Sequence, residues 1–105
     1  MKITTVHTEI LSEVIDECTF NKNFKREFIF DSSEKRISRF LSQHSTVILA
    51  SNNNLKYVTL ELGIDKDGNR ERFVVLQYLD GTPNKFVRIT GCNIKDIILK
   101  VLAVC

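Results

Sequence analysis

The sequence predicts an α+β fold, a two-layer sandwich with a mostly antiparallel sheet of about five strands and helices packed on one face. Two observations support this class. Helical periodicity occurs near both ends of the chain and once between them, and strand-like alternating segments follow one another with only short turns between. Strands joined by short turns pair antiparallel, and amphipathic helices cover the sheet. We therefore expect the order α-β-α-β-β-β-β-α in a single domain, residues 1–105.

The first three elements are expected before residue 45. Thr8 caps a helix whose apolar positions recur at helical spacing as far as Cys18. The segment FKREFIF, residues 24–30, alternates like a strand and sets its three phenylalanines on one side, where we expect them in the core. Asp31 and Glu34 have capping-box spacing, which indicates that a second helix begins there.

The second half of the chain is expected to be a meander that ends in a helix. Its four strand-like segments are STVILA, LKYVTLELGI, RFVVLQYL and KFVRIT. The Asp-Gly pair in DKDGN has the chemistry of a hairpin turn. The last segment, IKDIILKVLAVC, is predicted to be a helix that begins after Asn93.

Composition and charge exclude several classes of protein. The apolar content of 43% and the charged content of 27% are ordinary for a globular chain, so disorder is not expected. A net charge of +2 provides no global field toward nucleic acid or membrane. The N-terminal residues lack the apolar core of a signal peptide, and no membrane partner is predicted. Three cysteines without a Cys-x-x-Cys pair indicate a cytoplasmic protein.

An acidic arc is predicted on the first helix and is the first candidate site for a protein partner. Its members are Glu9, Glu13, Asp16 and Glu17. Asp16 and Glu17 would lie near the helix C-terminus, where the helix dipole disfavours anions. The arc is either a solvated face paired with the lysines downstream or a surface kept for a basic partner.

The solvent side of the predicted sheet is the second candidate site. Tyr57, Thr59, Gln77, Phe86 and Arg88 are expected on this side. Exposed aromatic side chains beside an arginine are typical of binding hot spots. This prediction requires that helices leave the face uncovered.

The middle of the chain is basic and is the alternative site, for nucleic acid. Its cations are Lys22, Lys25, Arg26, Lys35, Arg36 and Arg39. Six cations are able to follow a phosphate backbone, and such binding falls steeply with salt. Glu27, Asp31 and Glu34 are interleaved with them, which argues against this site.

Catalytic and metal-binding residues are not expected, and neither is a cofactor. His44 lies on an apolar helical stripe, which is typical of a half-buried packing histidine. No His or Cys spacing suits zinc, and DKDGN lacks the later acidic ligands of a calcium loop. Cys92 falls at a predicted helix N-terminus, where a thiolate is stabilised, although a small buried thiol is the alternative. We therefore expect that the protein is not an enzyme.

The predicted C-terminal helix is apolar over a wide arc. It either lies deep in the fold or buries part of that arc against a second subunit, so the chain is a monomer or a homodimer through this helix.

Together these observations favour a small non-enzymatic binding protein that acts by occupying a macromolecular surface. Inhibitors and immunity proteins encoded by bacteria, phages or mobile elements are built in this way, and by analogy the target is a bacterial nuclease or defence complex. The alternative is a small nucleic-acid-binding protein that uses the basic residues between 22 and 39. An enzyme that uses Cys92 is a third hypothesis.

Overall fold

A five-stranded sheet and four helices make up the part of the chain that the computed structural model describes, residues 13–105. The strands are β1 Val14–Asp16, β2 Lys25–Glu27, β3 Leu55–Ile64, β4 Arg70–Tyr78 and β5 Lys85–Arg88. The helices are α1 Glu17–Asn23, α2 Ser32–Gln43, α3 Ser45–Ala50 and α4 Ile94–Val104. The order across the sheet is β1-β5-β4-β3-β2, and all four pairings are antiparallel. The predicted α+β class with an antiparallel sheet is confirmed.

The long hairpin of β3 and β4 forms the centre of the sheet. Gly68 in its turn has a φ of 85°, a conformation that favours glycine. The Asp65 side chain accepts hydrogen bonds from the N–H groups of Asp67 at 2.9 Å and Asn69 at 2.8 Å. The bond from Asn69 is the main cause of the lowered pKa of Asp65. The predicted hairpin turn at DKDGN is therefore confirmed.

Helices α2, α3 and α4 pack on one face of the sheet and form the larger core with it. Its buried side chains include Ile37, Leu41, Ile48, Leu60, Val74, Leu76, Val87, Ile97 and Val101. Burial of a side chain of this size contributes about 1.5 to 3 kcal/mol. This core therefore makes a large contribution to the stability of the fold.

The opposite face of the sheet carries a smaller aromatic core. Phe20 of α1 is fully buried, and its ring centroid lies 4.6 to 5.3 Å from those of Phe24, Phe73 and Phe86. A Cβ atom added to Gly63 of β3 would lie only 2.8 Å from the Cβ atom of Phe24. Helix α1 therefore covers part of this second face at close range.

The first strand, β1, occupies residues that were predicted to lie in the first helix. It pairs antiparallel with β5, and the N–H of Arg88 extends the ladder to the carbonyl of Glu13 at 2.9 Å. Val14 and Ile15 are β-branched and suit the pleated surface of a strand beside β5. The predicted helix is wrong at these residues, and its cap Thr8 lies outside the described residues.

Residues 45–50 form α3 where the sequence predicted a buried strand. Helix α3 follows α2 after His44, whose carbonyl accepts the N–H of Ile48 at 3.1 Å. Ile48 is fully buried while Val47 is 58% exposed, so only one side of the segment reaches the core. One-sided burial suits a helix here, and packing overrides the β propensity of the segment.

Strand β2 is only three residues long, because the chain leaves the sheet after Glu27. The three phenylalanines of the predicted strand 24–30 therefore do not share a core. Phe24 contacts the aromatic core, Phe28 is 80% exposed, and Phe30 packs beside the larger core. The predicted strand is wrong beyond Glu27.

Candidate functional site

A buried carboxylate holds the N-terminus of α2 against β4. The Glu34 side chain is fully buried, and Arg70 donates from Nε to Oε2 at 2.7 Å and from Nη2 to Oε1 at 2.6 Å. Arg72 donates from Nε to Oε2 at 3.0 Å, and the N–H of Asp31 donates to Oε1 at 2.9 Å within the predicted capping box. These bonds, with those from Arg70 the largest cause, lower the pKa of Glu34 to about 2 although burial opposes them.

The same group of side chains fixes the segment between β2 and α2. Arg70 also donates from Nη2 to the carbonyl of Ile29 at 2.6 Å. The Oε2 atom of Glu27 accepts the N–H groups of Phe28 at 2.8 Å and of Ile29 at 2.9 Å. These two bonds, with that from Ile29 the larger cause, lower the pKa of Glu27. The backbone of Phe28 and Ile29 is therefore held at three points.

Phe28 and Ile29, which we call the apolar tip, point from this fixed backbone into solvent. They are 80% and 78% exposed, more than the other large apolar side chains of the described residues. An aromatic and an aliphatic anchor on a rigid backbone lose little conformational freedom when a partner binds them. Sequence reasoning missed this site because simple alternation assigned Phe28 to the core.

The outer face of α2 carries three cations and no acid. Lys35, Arg36 and Arg39 are exposed there, opposite the buried Ile37 and Leu41. The carboxylate within this helix, Glu34, is turned toward the sheet and occupied by two arginines. Of the interleaved acids that argued against a basic surface, Glu34 therefore does not dilute this face of the helix.

The other three cations of the basic section do not lie on α2, and their contacts differ. Lys22 and Lys25 are exposed and line a shallow cavity of about 230 Å³ near the β3–β4 turn. Arg26 forms an ion pair with Glu61, and its guanidinium carbon lies 5.1 Å from the ring centroid of Phe20. Arg26 therefore closes the aromatic core, and its head group is already engaged.

The described residues of the acidic arc do not form one helical face. Glu9 lies outside the described residues, and Glu13 precedes β1 and pairs with a lysine of α4. Asp16 caps α1, because its Oδ1 atom accepts the N–H of Thr19 at 2.7 Å, and this bond lowers the pKa of Asp16. Glu17 follows in the first turn. Both acids lie near a helix N-terminus, where the dipole favours anions, which reverses the expected position.

The predicted cluster on the solvent side of the sheet is divided. Tyr57 is 54% exposed, but Phe86 is 1% exposed and stacks against Phe20 of α1. Arg88 is about half exposed and donates two hydrogen bonds to Glu71, at 2.9 and 2.6 Å. The expectation that Phe86 contacts a partner is therefore wrong, because α1 covers it, while Tyr57 and Arg88 remain on the surface.

The C-terminal helix places most of its apolar arc against the larger core. Ile97 and Val101 are fully buried, whereas Leu99 on the other side is 66% exposed. Cys92 precedes the helix, is half-buried, and has its Sγ atom 3.8 Å from Nζ of Lys100. Assembly through this helix stays a prediction.

No protein-family model, characterised protein or solved structure is significantly similar to this chain. Among residues 13–105, no helix combines the length and apolarity that crossing a membrane requires. In the same range, no three His, Cys, Asp or Glu side chains are grouped as metal ligands would be.

Proposed function

We propose that this protein is a non-enzymatic binding protein that occupies a surface of a partner protein through the apolar tip. The observation that carries the proposal is the combination of exposure and fixation at Phe28 and Ile29. Two adjacent large apolar side chains in water add nothing to the core, yet three hydrogen bonds hold their backbone in one position. That arrangement suits an anchor for a partner.

Burial of the apolar tip contributes a substantial part of the energy that specific binding requires. Burial of Phe28 and Ile29 by a partner contributes about 1.5 to 3 kcal/mol each. Because the backbone is already fixed by Glu27 and Arg70, little of this energy is lost in ordering the loop. A partner that covers both side chains therefore gains roughly two to four orders of magnitude in affinity from them.

The proposal includes an inhibitor or immunity role, a bacterial, phage or mobile-element origin, and a cytoplasmic location. Free thiols at Cys18, Cys92 and Cys105 support a reducing compartment. The inhibitor role is supported by analogy with other small binding domains.

Affinity capture with matched surface variants tests the proposal. The tagged full chain, the double variant Phe28→Ser/Ile29→Ser and the control Leu79→Ser/Leu99→Ser are each used to retain proteins from a bacterial lysate. The control removes two apolar side chains that are 63% and 66% exposed elsewhere. We expect a partner retained by the wild type and the control and depleted at least about tenfold with the tip variant.

Two results contradict this proposal. In one, the tip variant retains the same proteins as the control at the same yield. In the other, the wild type retains nothing above the tag alone. All three chains are expected to unfold at similar temperatures, because each altered side chain is largely exposed.

Nucleic-acid binding is a second candidate, favoured by the basic outer face of α2. Lys35, Arg36 and Arg39 lie together on one side of the helix while Glu34 points away. Gel shifts with single-stranded and double-stranded oligonucleotides at several salt concentrations test it. Three phosphate contacts give a slope of roughly −2 to −3 in log affinity against log salt. Absence of binding at low salt ends this candidate.

A further inference from the structure

We infer that an extended peptide segment of the partner adds as a new strand to the open edge of β3, in the groove beside α2. This inference rests on the proposed function, because it states what form the partner takes next to the apolar tip. It follows from the pairing of the strands, the direction of the backbone groups and the shape of the groove.

The outer edge of β3 is only partly covered. Strand β2 pairs with Leu62–Ile64 of β3 and stops. No strand within residues 13–105 lies beside Val58 or Leu60 on that side, although both belong to the ten-residue strand β3. An open strand edge is a template for pairing with another chain.

Hydrogen bonds inside the sheet show which residues of β4 face β3. In an antiparallel ladder, opposite residues alternate between pairs that share hydrogen bonds and pairs that do not. The N–H of Ile89, just after β5, donates to the carbonyl of Arg72 at 2.9 Å. The even-numbered residues of β4 therefore turn their backbone groups toward β5, and odd-numbered residues such as Val75 turn theirs toward β3.

The same alternation identifies the free backbone groups of β3. Val75 pairs with Thr59, so Thr59 directs its N–H and C=O toward β4. The turn of the hairpin agrees, because the N–H of Asp65 donates to a carbonyl across the turn at 2.9 Å, with the same parity. Val58 and Leu60 have the opposite parity, and their N–H and C=O groups therefore point out of the open edge.

The edge is open because the network around the apolar tip ends β2. If β2 continued in the same register, Ile29 would lie opposite Leu60 of β3. Its N–H is instead bonded to Glu27 and its carbonyl to Arg70. The bonds that fix the tip therefore also keep the backbone of Ile29 away from β3.

A groove of about 540 Å³ lies along this edge. Residues 56–60 of β3 form one wall, and α2 and α3 form the other. Apolar side chains on the helix side and before α2 include Phe30, Leu41 and Leu49. Hydroxyl groups are contributed by Ser38, Ser42 and Ser45. The groove combines a strand edge with an apolar floor and hydrogen-bonding walls, as peptide-binding grooves do.

The lining of the groove specifies the chemistry of its occupant. Five residues of β3 extend about 16 Å, so a stretch of about five residues matches them. Every second side chain of an added strand would face Phe30 and Leu41, which favours alternating apolar residues. Lys56 is the one charged side chain among the described residues that line the groove, and it favours a carboxylate. The occupant is therefore an extended acidic peptide with alternating apolar side chains.

Selection from a random library of linear dodecapeptides displayed on phage, with the full chain as bait, tests this inference. Enriched sequences are synthesised, and each backbone nitrogen is methylated in turn to remove one N–H. We expect methylation at alternate positions to weaken binding at least about tenfold, because only one parity of an added strand bonds to Val58 and Leu60. Methylation at the other parity is expected to leave binding nearly unchanged.

Variants of the protein test the same contact from the other side. Val58→Pro removes the outward N–H, whereas the control Val58→Ala keeps this N–H. We expect Val58→Pro to weaken the binding of the selected peptides at least about tenfold more than Val58→Ala does. Lys56→Glu is expected to weaken the binding of acidic peptides, and this difference from the wild type is expected to disappear at high salt. If Val58→Pro does not fold, the methylated peptides still decide the question.

Three outcomes overturn the inference. They are that no peptide is enriched, that enriched peptides tolerate methylation at both parities, or that the wild-type chain is a dimer joined through β3. None of these outcomes requires loss of partner capture through Phe28 and Ile29. Conversely, peptides that bind the edge while the tip variant retains every lysate partner contradict the role of the tip and not that of the edge.

Discussion

Replacing Glu34 by glutamine removes the charge at the centre of the network that joins α2 to β4 and keeps the size of the side chain. Arg70 and Arg72 then lose the carboxylate to which they donate three hydrogen bonds. Both arginines remain partly exposed, so water is able to solvate them again in the variant. The main expected loss is therefore the favourable interaction of the buried charge.

The magnitude follows from the pKa of Glu34. Its pKa is lowered from 4.5 to about 2 in the folded protein. At roughly 1.4 kcal/mol per pKa unit, the fold stabilises the charged form by about 3 kcal/mol. Because the folded pKa lies below the unfolded one, this stability is present above pH 4.5 and is lost as the pH falls toward 2. A loss of this size is a large part of the stability of a small domain, about 5 to 15 kcal/mol.

Urea unfolding of the wild type, Glu34→Gln and a control tests this reasoning. The control Asp67→Asn removes an exposed carboxylate from the β3–β4 turn and is expected to change the unfolding free energy by less than about 0.5 kcal/mol. Glu34→Gln is expected to lose about 3 kcal/mol at pH 7 and less than about 1 kcal/mol near pH 2.5. A Glu34→Gln variant as stable as the control at pH 7, or one whose loss of stability does not shrink with acid, would exclude a stabilising charge at Glu34.

Three further predictions concern the elements around the site. Because Asp16 caps α1, Asp16→Ala is expected to lower the unfolding temperature, whereas Asp16→Ser is expected to keep it close to that of the wild type. A higher unfolding temperature with alanine would instead support the helix that the sequence predicted. Gly63→Ala is expected to cost about 1 to 3 kcal/mol in urea unfolding, since its Cβ would collide with Phe24, and unchanged stability would contradict that contact. Arg26→Ala is expected to lower the unfolding free energy by about 1 kcal/mol, and the control Lys25→Ala by less than about 0.5 kcal/mol. Equal losses in the two variants would show that the ion pair of Arg26 with Glu61 and its contacts with the aromatic rings are not stabilising.

The parts of the fold that depend on local chemistry were predictable from the sequence. The Asp-Gly turn, the capping box at Asp31 and Glu34 and the helix that begins after Asn93 are all present. Each of these signals lies within a few residues of the structure that it specifies. They were sufficient for the α+β class and the central hairpin.

The parts that depend on distant contacts were not predictable. Strand β2 ends at Glu27 because Arg70, forty-one residues after Ile29, holds the carbonyl of Ile29. Alternation alone extended that strand to Phe30 and placed Phe28 in the core. The same distance hides the burial of Glu34, whose partners lie on β4. The apolar tip and the open edge both result from this network, so local patterns do not reveal the site.

The edge strand β1 and the short helix α3 show a second limit of prediction from the sequence. Val14 and Ile15 have apolar spacing that suits either a helix or a strand, and pairing with β5 decides between them. Thr46, Val47 and Ile48 are β-branched, but full burial of Ile48 beside an exposed Val47 fits a helix. In both segments the outcome depends on which surface the rest of the chain offers.

Amide hydrogen exchange of the free chain, resolved residue by residue by NMR, is the decisive test of the open edge of β3. Because β3 presents a preformed open edge next to the apolar tip, we expect the amides of Val58 and Leu60 to exchange rapidly, while those of Thr59 and Glu61, which bond to β4, exchange slowly. Equal protection of all four amides would show instead that the edge of β3 is already occupied.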